Sequence, residues 1–337
     1  MNFIHIGMAK TGTTYLQNII FCKHKDISYF GKNSTIEDIN LIGKTIYSKN
    51  KKSYNDKHAK EVYQNFIKNN GKSCFLYSEE ILSSYIYAEP SLMASRLSSF
   101  MGKFHPILVI REPSVWLESM YFFRLYNFKQ EAIFGFEHWL NKYNLNSSTK
   151  SDIYSLNYGM TAETYRTASQ QGKISILFYE EFRQDRVKFL KQISEILSID
   201  VIHTIELAGK HVPSAHKDKL RINIKQAEFL WNCSLLHRGE ITKFQKVVDA
   251  HLKDINSDLL GEVPNQVRDL FDSKSLDILK WVSTLKRITR LLEEQGAPIA
   301  RLKLSSELRA YLARNAFEQQ QICPAISEKS SKKWGYY

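Results

Sequence analysis

The chain has 337 residues, 43% apolar and 24% charged, with a formal net charge of +12 at pH 7. That length and apolar content bury a large core and suit one large domain or one domain with an appendage, so disorder is set aside as the default reading. The positive balance suits an acidic partner: an anionic cofactor, an acidic glycan, nucleic acid or a membrane surface. Lys and Arg are spread along the chain, with modest concentrations at 51–52, 210–225 and 329–333. Neither zinc-finger spacing nor an RNA-binding signature occurs, which sets nucleic acid aside. No apolar run reaches eighteen residues and the chain opens on an apolar strand, so neither a membrane anchor nor a signal peptide is expected, and the expected location is cytoplasmic. Cys22, Cys74, Cys233 and Cys323 form no C-x-x-C pair, which argues against a metal site and a disulfide framework. Cys22 and Cys74 sit among apolar residues and are expected to be buried.

The first predicted element is a strand over 3–6. It runs into Gly7-Met8-Ala9-Lys10-Thr11-Gly12-Thr13-Thr14 and then directly into a helix. Strand, short glycine-bearing loop and helix N-terminus together make a phosphate cradle, because backbone N–H groups converge there and the helix dipole favours an anion. Gly7 and Gly12 keep the glycine spacing of the nucleoside-triphosphatase loop, G-x-x-x-x-G-K-[ST]. Thr13 stands where that loop has its lysine, and Lys10 lies inside the loop instead.

Further on, helix, glycine and strand alternate. A helix over 57–70 stops at Gly71 before a strand over 73–78, and a helix over 91–100 stops near Gly102 before a strand over 106–110. A helix over 162–171 stops at Gly172 before a strand over 174–179. Such alternation predicts an α/β fold of three layers around a central parallel sheet, with ligands outside the carboxyl ends of the strands. The 106–110 strand leads into Arg111-Glu112-Pro113, and Ser119 follows eight residues after the arginine. A guanidinium at a strand end suits bidentate phosphate binding. Past about residue 200 the spacing is helical, as in Leu220, Ile224, Ala227, Leu230, Trp231 and Leu235. The expected organisation is therefore an α/β core over 1–200, a helical portion packed on it over 201–326, and a flexible tail over 327–337.

Lys10-Thr11-Gly12-Thr13-Thr14-Tyr15-Leu16 resembles the loop P-K-[ST]-G-[TS]-[TS]-[WYF]-[LV] of the sulfotransferases that use 3′-phosphoadenosine-5′-phosphosulfate (PAPS), with Ala9 in place of the proline. Arg111 and Ser119 fall at the spacing of that family's 3′-phosphate pair. Tyr179-Glu180-Glu181-Phe182 is similar to its Y-E-[DE]-[LMF] segment, in which the tyrosine lies near the adenine. The resemblance covers about residues 1–200. It implies that Lys10 acts on the bridging oxygen, that Lys10, Thr11, Gly12, Thr13 and Thr14 hold the 5′-phosphosulfate, that Arg111 and Ser119 hold the 3′-phosphate, and that Tyr179 meets the purine. It further implies metal-free transfer to a hydroxyl, leaving adenosine 3′,5′-bisphosphate.

For the base, the 73–78 strand ends in Glu79 and Glu80. Glu79 aligns best with the family's base and Glu80 stands in reserve, while Tyr77 replaces the lysine some relatives carry there. Two acids opening a helix also suit its dipole, so that reading stays open. His5, His105, His203, His211 and His216 lack a motif that would make any of them the base. The stretch 121–128 with its rings and Arg124, together with the following region to about Tyr158, is a candidate acceptor surface, although helical core packing accounts for many of the same residues. A carbohydrate acceptor follows from the glutamate base by analogy alone. A magnesium-dependent P-loop kinase, or a non-catalytic relative binding nucleotide or anionic glycan, remains the alternative. The oligomeric state stays open.

Overall fold

The structure is a computed structural model that describes residues 1–31, 34, 37–48, 53–85, 88–141, 152–210, 222–253, 255, 260, 263–272, 278–293 and 297–323. The expected tail over 327–337 lies outside the described residues. The chain forms two compact units: Met1–Trp116 with Ser148–Pro213 and Leu304–Tyr337, and Leu117–Ser147 with Ser214–Lys303.

The first unit is built on five strands: β1 (Asn2–Gly7), β2 (Ile27–Gly31), β3 (Cys74–Ser78), β4 (His105–Ile110) and β5 (Ser175–Phe178). They form one parallel sheet in the order β2-β3-β1-β4-β5. β1 is central, and its residues 3–7, with four apolar or small residues and the buried His5, are covered on both faces. The pairings Ile4 with Tyr77, Gly7 with Val109 and Ile110 with Phe178 bring the carboxyl ends of β3, β1, β4 and β5 to one edge. The expected α/β architecture is present. β2 is an addition, since a five-residue strand with four residues buried leaves no alternation to read.

Helices cover both faces. After β1 the chain forms α1 (Thr13–Tyr15), which widens into a π-helical turn over Leu16–Phe21. Further helices are α2 (Glu37–Ile46), α3 (Asp56–Asn69), α4 (Pro90–Met101), α5 (Pro113–Tyr126), α6 (Tyr158–Ala168), α7 (Tyr179–Gln184), α8 (Arg186–Leu197) and α9 (Val201–Lys210). On one face Phe3, Leu76, Ile107, Val109 and Leu177 pack with Leu16, Ile19 and Ile20 and with Phe189, Leu190 and Ile193 of α8. On the other, the Phe30 ring meets Tyr63 and Phe66 of α3, Tyr77 of β3 and Phe100 of α4 at 5.2–6.1 Å between centroids. Alternate residues of each strand thus feed two different layers. Cys74 is buried as expected, whereas Cys22 is exposed. It ends the π-helical turn, and its Sγ points back to the Asn18 carbonyl at 3.1 Å.

The second unit takes over within α5, after Trp116. It contains α10 (Ile224–Asn232), α11 (Ile241–Lys253), α12 (Val263–Asp272) and α13 (Ile278–Glu293). Among the described residues its extended pairing is limited to the bridge between Asn223 and Ile299. Asn223 and Gln226 form a reciprocal capping box on α10, and their side-chain amides donate to the Leu292 and Thr289 carbonyls at 2.7 and 2.8 Å. Tyr121, the first aromatic of the candidate acceptor stretch, is fully buried here, with Trp231 Nε1 donating to its hydroxyl at 2.7 Å. Phe122, Leu125 and Phe128 are buried too, so core packing accounts for these four. The chain returns to the first unit as α14 (Ser306–Ile322), where Gln319 Oε1 accepts from the Met160 N–H at 3.0 Å. No helix among the described residues is long and apolar enough to cross a membrane.

Beneath the β1 loop lies a buried polar group. His5 Nδ1 is 2.8 Å from Ser78 Oγ, Gln17 Nε2 donates to the same oxygen at 3.1 Å, and the His5 ring stands edge-on to Phe21. Burial lowers the pKa of His5 to about 3, so the folded chain holds it neutral while the unfolded chain protonates it below its ordinary value of about 6.5. Its contribution to stability is therefore complete above pH 6.5 and is lost as pH falls toward 3, by roughly 1.4 kcal/mol per pH unit. Urea unfolding at pH 7 and pH 4.5 should show wild type losing roughly 2–3 kcal/mol more than His5→Gln. Identical losses would mean that His5 is not held neutral.

Candidate functional site

The loop between β1 and α1 is organised through its carbonyl groups. Met8 O accepts from Thr11 Oγ1 at 2.6 Å and from Thr13 Oγ1 at 3.1 Å. Ala9 O accepts from Trp116 Nε1 at 2.9 Å, and Lys10 O accepts from Arg111 Nη1 at 2.9 Å. In a trans peptide the C=O and the next N–H point in opposite directions. Tying the carbonyls of 8, 9 and 10 to side chains therefore aims the N–H groups of 9, 10 and 11 the other way, and the first-turn amides of α1 have no intrahelical partners. The result is a concave array of donors at a helix start, suited to an anion.

Two left-handed residues make the curve possible. Lys10 has φ 68° and Gly12 has φ 77°. Gly12 is needed for a second reason, since a Cβ there would lie 3.3 Å from Phe182 Cε1 and 3.4 Å from Tyr179 Cε2. Gly7 has a steric role alone: a Cβ there would meet the Thr13 side chain at 2.2 Å. The threonines divide accordingly. Thr11 and Thr13 are buried and fasten the loop to itself, while Thr14 is exposed and donates to Glu80 Oε1 at 3.3 Å.

Arg111, at the end of β4, is half-buried. Its guanidinium lies 4.8 Å from the centroid of the Tyr179 ring, and Tyr158 Oη donates to its carbonyl at 2.7 Å. Among the described residues its Nε is buried without a hydrogen-bond partner. Burial lowers the pKa of Arg111, with Tyr179 and Glu180 acting in the opposite direction. The Tyr179 ring is stacked with Phe182 at 5.9 Å and 27°. Phe182 in turn packs on Tyr15 at 5.4 Å, and the Arg186 guanidinium lies over both of those rings. Tyr179 is the first residue of α7, one residue past the strand, and its ring braces Arg111.

Neighbouring groups hold the β4–α5 turn. The Glu112 carboxylate accepts from Ser114 N–H, Ser114 Oγ and Val115 N–H at 2.7–2.9 Å, capping α5 ahead of Pro113. Its own N–H donates to Glu180 Oε1 at 2.9 Å, which joins this turn to the start of α7. Ser119 is half-buried on α5 and belongs to the second unit. Trp116, Tyr158, Phe182 and Arg186 have no assigned role in the sequence reading. Trp116 and Phe182 sit inside its motifs, so their positions are legible in the sequence and their contacts are not.

The two candidate bases occupy different surroundings. Glu79 is extended at the end of β3, with its N–H toward the His5 carbonyl at 3.4 Å. Its charge adds to burial in raising the pKa of Tyr29 and Tyr77. Glu80 opens the short 3-10 turn Glu80–Ser83 and reaches Thr14. The histidines lie elsewhere: His5 under the loop, His105 against Ser175 Oγ, and His203 beside the His24 ring at 4.6 Å. His211 and His216 lie outside the described residues.

No protein-family model matches the chain, and no curated protein matches it in sequence. Among solved structures, the crystal structure of a sulfotransferase from Alicyclobacillus acidocaldarius is similar over 59% of this chain and 81% of its own, at 15% identity and a TM-score of 0.44. A likeness that distant decides nothing about the chemistry here.

The loop geometry has a direct consequence. Gly12→Ala should lose roughly 1–2 kcal/mol of stability in urea, because an L-residue resists the left-handed conformation. A variant as stable as wild type would refute the left-handed turn at 12.

Proposed function

We propose that the chain is a PAPS-dependent sulfotransferase acting on a hydroxyl of an acceptor, with a carbohydrate as the preferred class. The observation that carries this reading is Arg111. A half-buried guanidinium with an unpartnered Nε, braced on Tyr179 and bonded to the carbonyl of Lys10, stands beside an anion cradle. A nucleotide with phosphates on both its 3′ and 5′ sides would engage the two together. In this reading the amides of the loop and α1 with Thr14 meet the 5′-phosphosulfate, and Arg111 meets the 3′-phosphate. Tyr179, whose ring face holds Arg111, would meet the purine by its edge.

In this reading Lys10 neutralises charge that builds on the bridging oxygen, the task positioned cations perform in phosphoryl transfer. Glu79 takes the acceptor's proton. The acceptor oxygen then bonds to sulfur as the bond from sulfur to the 5′-phosphate oxygen breaks, and the electron pair stays on the departing adenosine 3′,5′-bisphosphate. No metal is needed for that balance. A second assignment of the base has its own support, since Glu80 is the acid that reaches Thr14 of the loop.

A thermal-shift titration separates the readings, since a ligand at 100 times its Kd adds about 2.7 kcal/mol to stability. Adenosine 3′,5′-bisphosphate should shift the transition with or without chelator. A shift with magnesium-ATP alone would make the chain a kinase, and no shift with either would make it a non-catalytic relative. In transfer assays with PAPS, Lys10→Ala should be inactive, and Glu79→Gln should bind the bisphosphate normally while turnover falls by about 10²–10⁴. If Glu79→Gln stays active and Glu80→Gln does not, Glu80 is the base. Arg111→Ala should weaken the bisphosphate far more than 5′-AMP, and equal losses would remove the 3′-phosphate assignment.

A further inference from the structure

Lys10 is held in a conformation that its side chain disfavours. At φ 68° a residue with a Cβ is disfavoured relative to a right-handed one, and such conformations persist only where the surroundings over-determine them. The surroundings here are few and identifiable. The carbonyl before Lys10 is held by Trp116 Nε1, and its own carbonyl by Arg111 Nη1. Both donors come from the β4–α5 segment, over a hundred residues along the chain. Arg111 is fixed from two directions, by Tyr158 Oη on its carbonyl and by the Tyr179 ring under its guanidinium. One nitrogen of the fork is therefore committed to the loop, while Nε has no partner among the described residues.

We infer that Arg111 is a positioning residue for Lys10: its Nη1 bond holds the lysine in the left-handed conformation, and the same guanidinium offers its other edge to the nucleotide's second phosphate. A single rigid fork then links recognition of the 3′ side of the donor to the placement of the loop lysine at the 5′ side. Lysine at 111 would lack this property, because an ammonium is a point charge without a planar fork. The catalytic half of the inference rests on the reading of the site as a PAPS site; the conformational half does not.

The conformational half is tested by a double-mutant cycle on the full chain without ligand, using urea unfolding of wild type, Lys10→Gly, Arg111→Gln and the double variant. If the Arg111 bond holds strain at Lys10, removing Arg111 releases part of that strain in wild type and none in the glycine background. The double variant should then be less stable than the sum of the single changes predicts, by about fivefold in the unfolding constant. Additivity within about twofold would overturn the inference. If Arg111→Gln does not fold, Arg111→Lys takes its place in the cycle.

The catalytic half is read by donor dissection with adenosine 5′-phosphosulfate, which has no 3′-phosphate. A residue that only contacted the 3′-phosphate would leave this donor unaffected by Arg111→Gln. Positioning of Lys10 predicts that kcat with this donor falls about tenfold while KM moves little, the pattern of a lost transition-state interaction. An unchanged kcat would overturn the catalytic role. Coupling in the cycle with no thermal shift from adenosine 3′,5′-bisphosphate would retain the conformational inference and discard the sulfotransferase reading. Transfer with an additive cycle would do the reverse.

Discussion

The site depends on where the carbonyl groups of residues 8–10 point. Each is claimed by a side-chain donor: the hydroxyls of Thr11 and Thr13, the indole of Trp116 and the guanidinium of Arg111. A peptide group cannot turn its carbonyl without turning its amide, so these bonds shape the opposite, donor-bearing side of the loop. Other features serve this arrangement. Gly7 admits the Thr13 side chain, Gly12 admits the rings of Tyr179 and Phe182, and after Tyr15 the helix widens into a π-helical turn.

Parallel pairing of β1 with β4 is what lets one turn organise the other. The register Gly7 with Val109 puts the end of β1 two residues from Arg111, so a guanidinium and an indole from the β4–α5 turn reach carbonyls of the β1–α1 loop. On the outer side, β5 in register with β4 places Tyr179 under the same guanidinium and Glu180 against the Glu112 N–H. The polar group of His5, Ser78 and Gln17 closes the inner side, joining β1, β3 and the first helix below the loop. Its hydrogen bonds to Ser78 favour this register, because mispairing would strand His5 Nδ1, Ser78 Oγ and Gln17 Nε2 in addition to His5 Nε2 and Gln17 Oε1, which are buried without partners among the described residues.

Arg111 concentrates the electrostatics. Burial makes its charge costly, and the Tyr179 ring and one carbonyl offset part of that cost. An anion on the Nε that has no partner among the described residues would offset part of what remains.

Much of this was legible in the sequence. The strand-loop-helix punctuation, Gly71 and Gly102 after helices, and the apolar run before Arg111 lead to the parallel sheet, because local propensity and burial pattern act over a few residues. The loop, Arg111 and the acids after β3 are readable for the same reason: they are contiguous motifs. β2 was not legible, since a short strand buried on both faces has no period, and the exposure of Cys22 depends on how a helix widens at its end. The roles of Trp116, Tyr158 and Phe182 depend on partners far away in the chain, as does the contrast between Glu79 beside Tyr29 and Tyr77 and Glu80 at Thr14. The sharing of the chain between two units, with α5 passing out of the first and α14 returning to it, is likewise a matter of tertiary contacts. The sequence by itself determined which groups were available and in what local frame, because those follow from residue type and spacing. Which donor met which carbonyl was decided only by tertiary structure, because strand register sets those distances across a hundred residues of chain.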